Sequence, residues 1–152
     1  MLSQKAKYAI KALIALARAD GELLQASDIA EDHGIPKKFL DLIFFELRGH
    51  NMVHSTRGRQ GGYSLAVPPE NITIAAIIRA VDGPLAPLPC ASVRFYRRCA
   101  DCKDEKTCEV RKMMREVRDA ASAILDNTTL AEVAGLGARK KEPAGKRARQ
   151  RA

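Results

Sequence analysis

Residues 56–66 have the sequence TRGRQGGYSLA, a glycine-rich turn followed by a short segment with strand character. Met52–Thr56 before the turn and Tyr63–Val67 after it predict the two antiparallel strands of a hairpin. Arg57 and Arg59 flank a glycine that lets the backbone approach another surface, and a guanidinium fits the narrow, electronegative minor groove of DNA. A solvent-exposed hairpin does not need these arginines to fold. We therefore predict a DNA-binding wing.

Upstream of the hairpin, the spacing of apolar residues predicts three helices. The first covers Gln4–Arg18, and the second is a short helix with Ser27 as its N-cap and Gly34 at its end. Pro36 opens the third helix at the first helical position, where proline is tolerated. Two short helices joined by a tight glycine turn indicate a helix-turn-helix. The buried side of the third helix is predicted to consist of Phe39, Leu40, Ile43, Phe44 and Leu47.

The start of the third helix carries charges that favour an external partner. Lys37 and Lys38 lie where the helix already has partial positive charge, which is unfavourable by a few tenths of a kcal/mol each. DNA phosphates would compensate this charge, and Asp41 could accept a hydrogen bond from a cytosine amino group in the major groove. Alternatively, both lysines are solvated and Asp41 forms a weak surface pair with one of them. The neighbouring wing favours DNA binding.

Downstream of the hairpin, Ile72–Val81 predicts a fourth helix, and a proline-rich segment follows it. A long helix then carries a seven-residue apolar repeat, which favours a partner helix over packing on its own domain and thus a two-fold homodimer. We divide the chain into a winged helix-turn-helix (1–83), a cysteine loop (84–108), a dimerisation helix with a short C-terminal helix (109–137) and a basic tail (138–152). The apolar repeat consists of Val110, Met113, Met114, Val117, Ala120, Ala121 and Ile124.

The four cysteines, Cys90, Cys99, Cys102 and Cys108, all lie in the loop before the long helix, with eight, two and five residues between them. Soft sulfur donors favour zinc or an iron–sulfur cluster, and the spacing does not separate these two. Structural or redox thiols without metal are the alternative. A thiol oxidoreductase is disfavoured because no thioredoxin-like alternation of strands and helices surrounds the Cys99–Cys102 pair. The protein is therefore predicted not to be an enzyme.

The chain has 152 residues, of which 46% are hydrophobic and 29% charged, enough for one compact domain or for a small domain with an appendage. The formal net charge is +8, and residues 138–152 contribute most of it, with seven basic residues against one acidic residue. This tail lacks large apolar residues, so we expect a disordered arm that attracts polyanions or only improves solubility. No segment predicts a membrane span or a signal peptide, which favours a cytoplasmic protein.

The order of these parts resembles the Rrf2 family of bacterial transcription regulators over about residues 1–135. The resemblance rests on a helix-turn-helix, the wing signature R-G-x-x-G-G-Y at residues 57–63, and loop cysteines before a long helix. It implies a mainly α-helical, winged-helix homodimer in which the long helix crosses its twin. It further implies that each loop houses an iron–sulfur cluster, whose state tunes the affinity for a DNA operator.

By the same resemblance, Arg57 matches the family's minor-groove arginine, and Asp41 matches an acidic base-contacting position. Lys38 and Leu42 differ from the polar residues often found beside that position. The resemblance therefore implies the mode of DNA binding but leaves the operator sequence open.

The cysteine pattern matches the family only in part. Cys102 and Cys108 match the last two cysteine ligands, whereas Cys90 lies farther from Cys102 than the first ligand usually does. Cys99 is additional, and Arg111 stands where some cluster-binding members have a histidine ligand. The resemblance thus implies Cys90, Cys102 and Cys108 as ligands, with Cys99 as the fourth ligand or a rescuing thiol.

Together these features predict a dimeric DNA-binding transcription regulator, with repression as the expected sign, acting on a pseudo-palindromic operator. An iron–sulfur cluster of the 2Fe–2S or 4Fe–4S type is expected to control operator affinity in response to iron, redox state or nitric oxide. The alternative is a DNA-binding regulator switched by zinc or by a disulfide, without a cluster.

Overall fold

Residues 2–137 are described in the computed structural model, and within them the chain forms six α-helices and one two-stranded sheet. Short 3-10 turns lie at Pro69–Asn71 and Pro89–Ala91. The predicted basic tail, residues 138–152, lies outside the described residues. In chain order the elements are α1 (Gln4–Arg18), α2 (Ala26–His33), α3 (Lys37–Gly49), β1 (Val53–Thr56), β2 (Gly62–Leu65), α4 (Ile74–Val81), α5 (Glu109–Leu125) and α6 (Leu130–Ala134).

The first helix has the predicted limits, but the second begins earlier than predicted. The N-cap of α2 is Gln25, and the predicted cap Ser27 lies in the first turn, where its hydroxyl donates to the Asp28 carboxylate. The prediction was wrong because Leu24 is held in extended pairing with Tyr63, so that the helix starts as soon as this pairing ends. Gly34 ends α2 as predicted, in the left-handed conformation with φ 61°.

The third helix carries most of its predicted apolar face into the core. Pro36 is extended with ψ 122° and precedes α3 as its N-cap, one residue before the predicted role at the first helical position. Phe39 is only half-buried and meets the Tyr8 ring edge-on, with ring centroids 5.9 Å apart. The fully buried members of the predicted set are Leu40, Ile43, Phe44 and Leu47.

The hairpin pairs β1 with β2 antiparallel, with Val53 opposite Leu65 and Thr56 opposite Gly62. Both strands are one residue shorter than predicted. Met52 lies outside β1, and β2 begins one residue earlier than predicted, at Gly62, and ends before Ala66 and Val67. The linker between α1 and α2 adds a single bridge to the free edge of β2. Leu24 N donates to Tyr63 O at 3.0 Å, and Tyr63 N donates to Leu24 O at 2.8 Å.

The end of the described chain returns to the amino-terminal core. Helix α4 begins after its cap Thr73, two residues later than predicted. A capping box formed by Thr129 and Glu132 starts α6, and Leu130 is fully buried in the core shared with α1. Backbone bonds join the segment before α4 to the segment before α6. The winged helix-turn-helix core is therefore completed by residues that follow α5.

Helix α5 matches the predicted long helix and differs from the others in burial. No residue of α5 is buried in the described chain, although the helix lies against the 3-10 turn Pro89–Ala91 and against α4. The side chains of its predicted apolar repeat are therefore largely exposed to solvent. Val110, Met113, Val117 and Ile124 are all about half-exposed or more. Within residues 2–137, no helix has both the length and the apolar character required to cross a membrane.

Candidate DNA-binding surface and cysteine loop

The exposed side of α3 and the hairpin of residues 53–65 form one continuous surface, which we call the α3–wing surface. The ring of Tyr63 on β2 stacks on Phe44 of α3, with centroids 4.1 Å apart and planes 13° from parallel. Arg48 Nη1 donates to Ser55 Oγ on β1 at 3.2 Å. The hairpin therefore has a fixed position beside the helix.

The glycines of the wing signature are required by close backbone contacts within the protein. A Cβ at Gly61 would lie 2.2 Å from Thr56 O, and a Cβ at Gly62 would lie 2.6 Å from Leu24 O. Both distances are too short for any side chain. Gly58 is different, because a Cβ there would meet no atom within 4 Å, but its φ of +116° disfavours other residues. The sequence identified this turn but not Leu24 as its neighbour.

The predicted DNA-contacting residues all lie at the α3–wing surface. Arg57 and Arg59 are exposed in the turn between the strands, and Lys37 and Lys38 are exposed at the start of α3. Lys37 Nζ lies 2.9 Å from Asp41 Oδ2, with both side chains substantially exposed. This is the surface pair expected as the alternative to DNA contact. Such an exposed pair is weak, so it would give way to a phosphate or a base.

The structure places the four cysteines in the loop but in different environments. Cys90 is buried in the 3-10 turn, whereas the other three are partly exposed. The Cys99 thiol forms a hydrogen bond with Cys90, which is the main reason that its pKa is raised. Cys102 N donates to Cys99 O at 3.3 Å. Cys108 is the N-cap of α5, and its Sγ accepts from Arg111 N at 3.4 Å.

Two arginines of α5 hold the loop against this helix. Arg111 Nε donates to Cys90 O at 3.0 Å, and Arg118 donates to Ala91 O. From the sequence, Arg111 was predictable only as a residue at a family ligand position, and Arg118 had no predicted function. Their seven-residue spacing places both on the same side of the helix, and this was the available signal. This spacing does not predict that their partners are the carbonyl groups of Cys90 and Ala91.

An ion cluster around Glu105 closes the other side of the loop. Arg98 Nε lies 3.5 Å from Glu105 Oε1, and Arg111 Nη2 lies 3.9 Å from Oε2. The Tyr96 hydroxyl also donates to Glu105, and this bond raises the pKa of Tyr96. Arg111 therefore links the carbonyl of Cys90 to the carboxylate of Glu105.

Comparison with known proteins places these features in a family. Residues 2–135 match the model of the Rrf2 family, described as an iron-dependent transcriptional regulator. The chain belongs to the Rrf2 family. An Rrf2-like HTH-type transcriptional regulator of Rhodobacter capsulatus is 43% identical over 141 residues, which cover 90% of this chain and 94% of the relative. The protein is thus a transcription regulator and, like its relatives, not an enzyme.

Solved Rrf2 structures confirm the predicted winged-helix fold. The structure of CymR, titled the global cysteine regulator of B. subtilis, has a TM-score of 0.71 at 29% identity, covering 91% of this chain and 98% of CymR. The IscR of T. potens also gives 0.71, at 26% identity, covering 95% of this chain and 93% of the neighbour. The Rrf2 fold thus occurs in both CymR and IscR regulators.

The cysteine loop of this Rrf2 protein has the donor atoms that a metal group requires, but they are not arranged around one metal position. Four thiols within one loop form a soft donor set, suited to zinc or to an iron–sulfur cluster. The Cys90 thiol is the largest influence on the pKa of Cys99, which it raises. In residues 2–137, however, no three side chains of the His, Cys, Asp and Glu types converge on a common metal position. Arg111 itself is excluded as a ligand because a guanidinium stays protonated.

Proposed function

We propose that this Rrf2 regulator binds a pseudo-palindromic DNA operator as a homodimer, with α3 in the major groove and the wing in the minor groove. The support is the common exposure of four cations on the α3–wing surface and the fixed position of the wing beside α3. In this mode Lys37 and Lys38 bind phosphates, Arg57 and Arg59 enter the minor groove, and Asp41 contacts a base. Binding to chromosomal DNA implies a cytoplasmic location.

The dimer is proposed to form along α5. Its apolar repeat is open in the described chain, and a second copy of the same helix would cover it by a two-fold contact. Such a contact would hold the two α3 helices at a defined separation, and operator half-sites one helical turn apart require roughly 34–36 Å. The geometry of α5 would therefore decide whether both α3 helices fit the operator together.

We further propose that an iron–sulfur cluster in the cysteine loop controls this geometry. The observation that carries the proposal is the confinement of all four thiols to a loop whose backbone is bonded directly to α5 through Arg111 and Arg118. Cys90, Cys102 and Cys108 are the proposed ligands, with Cys99 as the fourth. The cluster would supply a centre that changes with redox state or iron supply. The loop would close to bring these thiols together, and the two arginines would transmit the change to α5.

The interaction of the Cys90 and Cys99 thiols, which raises the pKa of Cys99, favours a second candidate, a disulfide switch. Two neighbouring thiols can be oxidised by hydrogen peroxide: one S–S bond forms, both S–H bonds are lost, and the peroxide is reduced to two waters. The solved relative CymR is the global cysteine regulator of B. subtilis, and a cysteine-based switch in the present chain would be of a related kind. Zinc held by the same thiols is a further form of this candidate.

An absorption spectrum of the full chain, purified without oxygen, tests the cluster. We expect visible absorption bands together with iron and acid-labile sulfide, and loss of all three in Cys108→Ser. Operator affinity should change when the cluster is removed. Absence of bands and sulfide would refute the cluster while leaving DNA binding intact. Thiol counting before and after peroxide treatment, with metal analysis, would then separate a disulfide from zinc.

A further inference from the structure

The exposed face of α3 has an apolar centre that the fold does not use. Leu42 is 60% exposed and Phe45 is 66% exposed. Spacings of four and three residues align them with Lys38 in one stripe along the helix. The buried side chains of α3 project from the opposite side of the helix. The core is therefore complete without Leu42 and Phe45, and their exposure points to an external contact.

Charges around this stripe define the chemistry of its partner. Lys37 and Lys38 lie at one end of α3, and Arg48 lies toward the other. The guanidinium of Arg48 is 5.7 Å from the centre of the Phe45 ring and also bonds to Ser55 on the hairpin. The apolar stripe is thus bordered by cations. An acidic partner with a small apolar group at its contact surface would match both features.

Duplex DNA supplies this combination. Phosphates would bind the bordering cations, and the C5-methyl of thymine is the apolar group presented in the major groove. A second copy of the chain fits less well, because it would bring a second set of lysines and arginines to the same surface. The open repeat of α5 already offers a matched surface for a second copy.

We propose that Leu42 and Phe45 contact thymine methyl groups and thereby determine operator specificity. The inference rests on the proposed insertion of α3 into the major groove. Residues three apart on a helix are separated by about 4.5 Å along its axis, and successive base pairs by about 3.4 Å. The two methyl groups should therefore lie on neighbouring base pairs. Asp41 directly precedes Leu42, so a cytosine contacted by Asp41 should lie next to them.

The test begins with selection of operators from a randomised duplex library, using the full-length chain. Each thymine of the selected operator is then replaced by deoxyuridine, which removes only the methyl group. We expect two positions in each half-site at which this replacement weakens binding by about fourfold, the effect of one buried CH₂-sized group. Leu42→Ala and Phe45→Ala should each remove the sensitivity at one position. Val133→Ala, which truncates a 40%-exposed side chain on α6, is the matched control and should keep both.

The possible results separate this inference from the proposed function. Tight binding to a selected operator that is insensitive to deoxyuridine at every thymine would overturn the inference and leave DNA binding in place. Failure to select any operator would overturn both. The molar mass in solution supplies a further check. If Leu42→Ala or Phe45→Ala lowers this mass and leaves the methyl sensitivity unchanged, the stripe is a protein interface and the inference is wrong.

Discussion

The α3–wing surface and the cysteine loop are held in place by different interactions. The hairpin is fixed by the Tyr63–Phe44 ring stack and by close backbone contacts at Gly61 and Gly62. The cysteine loop is fixed by arginine bonds to carbonyls and by an ion cluster at Glu105 that is partly exposed to water. Of the four thiols, only that of Cys90 is buried. Apolar packing resists changes in pH and redox state, whereas thiols and charge pairs respond to them.

This difference indicates that the two regions have different roles, DNA recognition for the α3–wing surface and response to a signal for the cysteine loop. The α3–wing surface does not depend on a bound group for its geometry, so its preference for particular bases should persist in every state of the loop. The loop can change its internal bonds with little loss of buried apolar area. A signal should therefore alter the relation between two α3–wing surfaces while leaving each surface intact. The following substitutions test this division.

Gly62→Ala should have the largest effect. The new Cβ would lie 2.6 Å from Leu24 O, so the hairpin or the α1–α2 linker must move. We expect the free energy of unfolding to fall by about 3 kcal/mol, as measured by chemical denaturation. Operator binding should fall with it, because the stacked Tyr63 follows Gly62 directly.

Gly49→Ala is the matched control. A Cβ at this position in the last turn of α3 would meet nothing within 4 Å, and alanine favours the helix by up to about 1 kcal/mol. Its stability should equal or exceed that of the parent. If Gly62→Ala were as stable as Gly49→Ala, the hairpin could shift without cost, and the α3–wing surface would not be the rigid region of the two.

Arg57→Ala should leave stability unchanged and reduce operator discrimination. Its guanidinium is exposed and forms none of the packing contacts of the hairpin. We expect a loss of about 1–3 kcal/mol in the difference between binding to the operator and to a scrambled duplex. Arg115→Ala removes an exposed cation from α5 and should keep the discrimination. An equal loss in both variants would indicate general electrostatic attraction instead of base or groove recognition.

Arg111→Ala should loosen the cysteine loop without disturbing the α3–wing surface. It removes the bond to Cys90 O and the ion pair with Glu105, a local loss of about 1 kcal/mol. Hydrogen exchange should become faster in residues 90–108 and stay unchanged in residues 37–65. Lys112→Ala, which changes an exposed neighbour, should alter neither segment. Faster exchange in α3 of Arg111→Ala would show that the two regions are not independent.

Local patterns in the sequence predicted most of the fold. The limits of α1 and the presence of the hairpin and the long helix follow from apolar spacing and glycine positions, which act over a few residues. The start of α2 was mispredicted because its cause, the pairing of Leu24 with Tyr63, joins residues far apart in the chain. Capping rules consider only neighbouring residues, so they favoured Ser27 as the N-cap.

The candidate sites divide in the same way. The exposed cations of α3 and the wing and the clustered cysteines were evident from residue type and position alone. The bonds from Arg111 and Arg118 to the 3-10 turn span 21 and 27 residues, and no periodic pattern in the sequence predicts them. Likewise, Leu42 was noted as a departure from the family, but its exposure beside Phe45 required the orientation of α3.

The smallest effect is expected at the charge pair that joins α4 to the end of α5. Arg79 on α4 lies 2.5 Å from Asp126, which follows α5, and donates a second bond at 2.9 Å. The bond from Arg79 is the main reason that the pKa of Asp126 lies below its ordinary value of 3.8. A lowered carboxyl pKa stabilises the folded state above the unfolded pKa, and this contribution is lost as pH falls through the folded pKa.

Asp126→Asn should therefore remove part of the loss of stability seen in acid titrations below about pH 4. The side chains of Arg79 and Asp126 are 38% and 42% exposed, so water screens the pair and its contribution at neutral pH should stay below about 1 kcal/mol. Denaturation at a series of pH values measures both effects, with Glu22→Gln as a control for loss of an exposed carboxylate. Operator affinity at neutral pH should be unchanged, because the pair does not position the α3–wing surface. A marked fall in affinity with little change in stability would instead mean that Arg79 and Asp126 transmit the state of α5 to the helices that bind DNA.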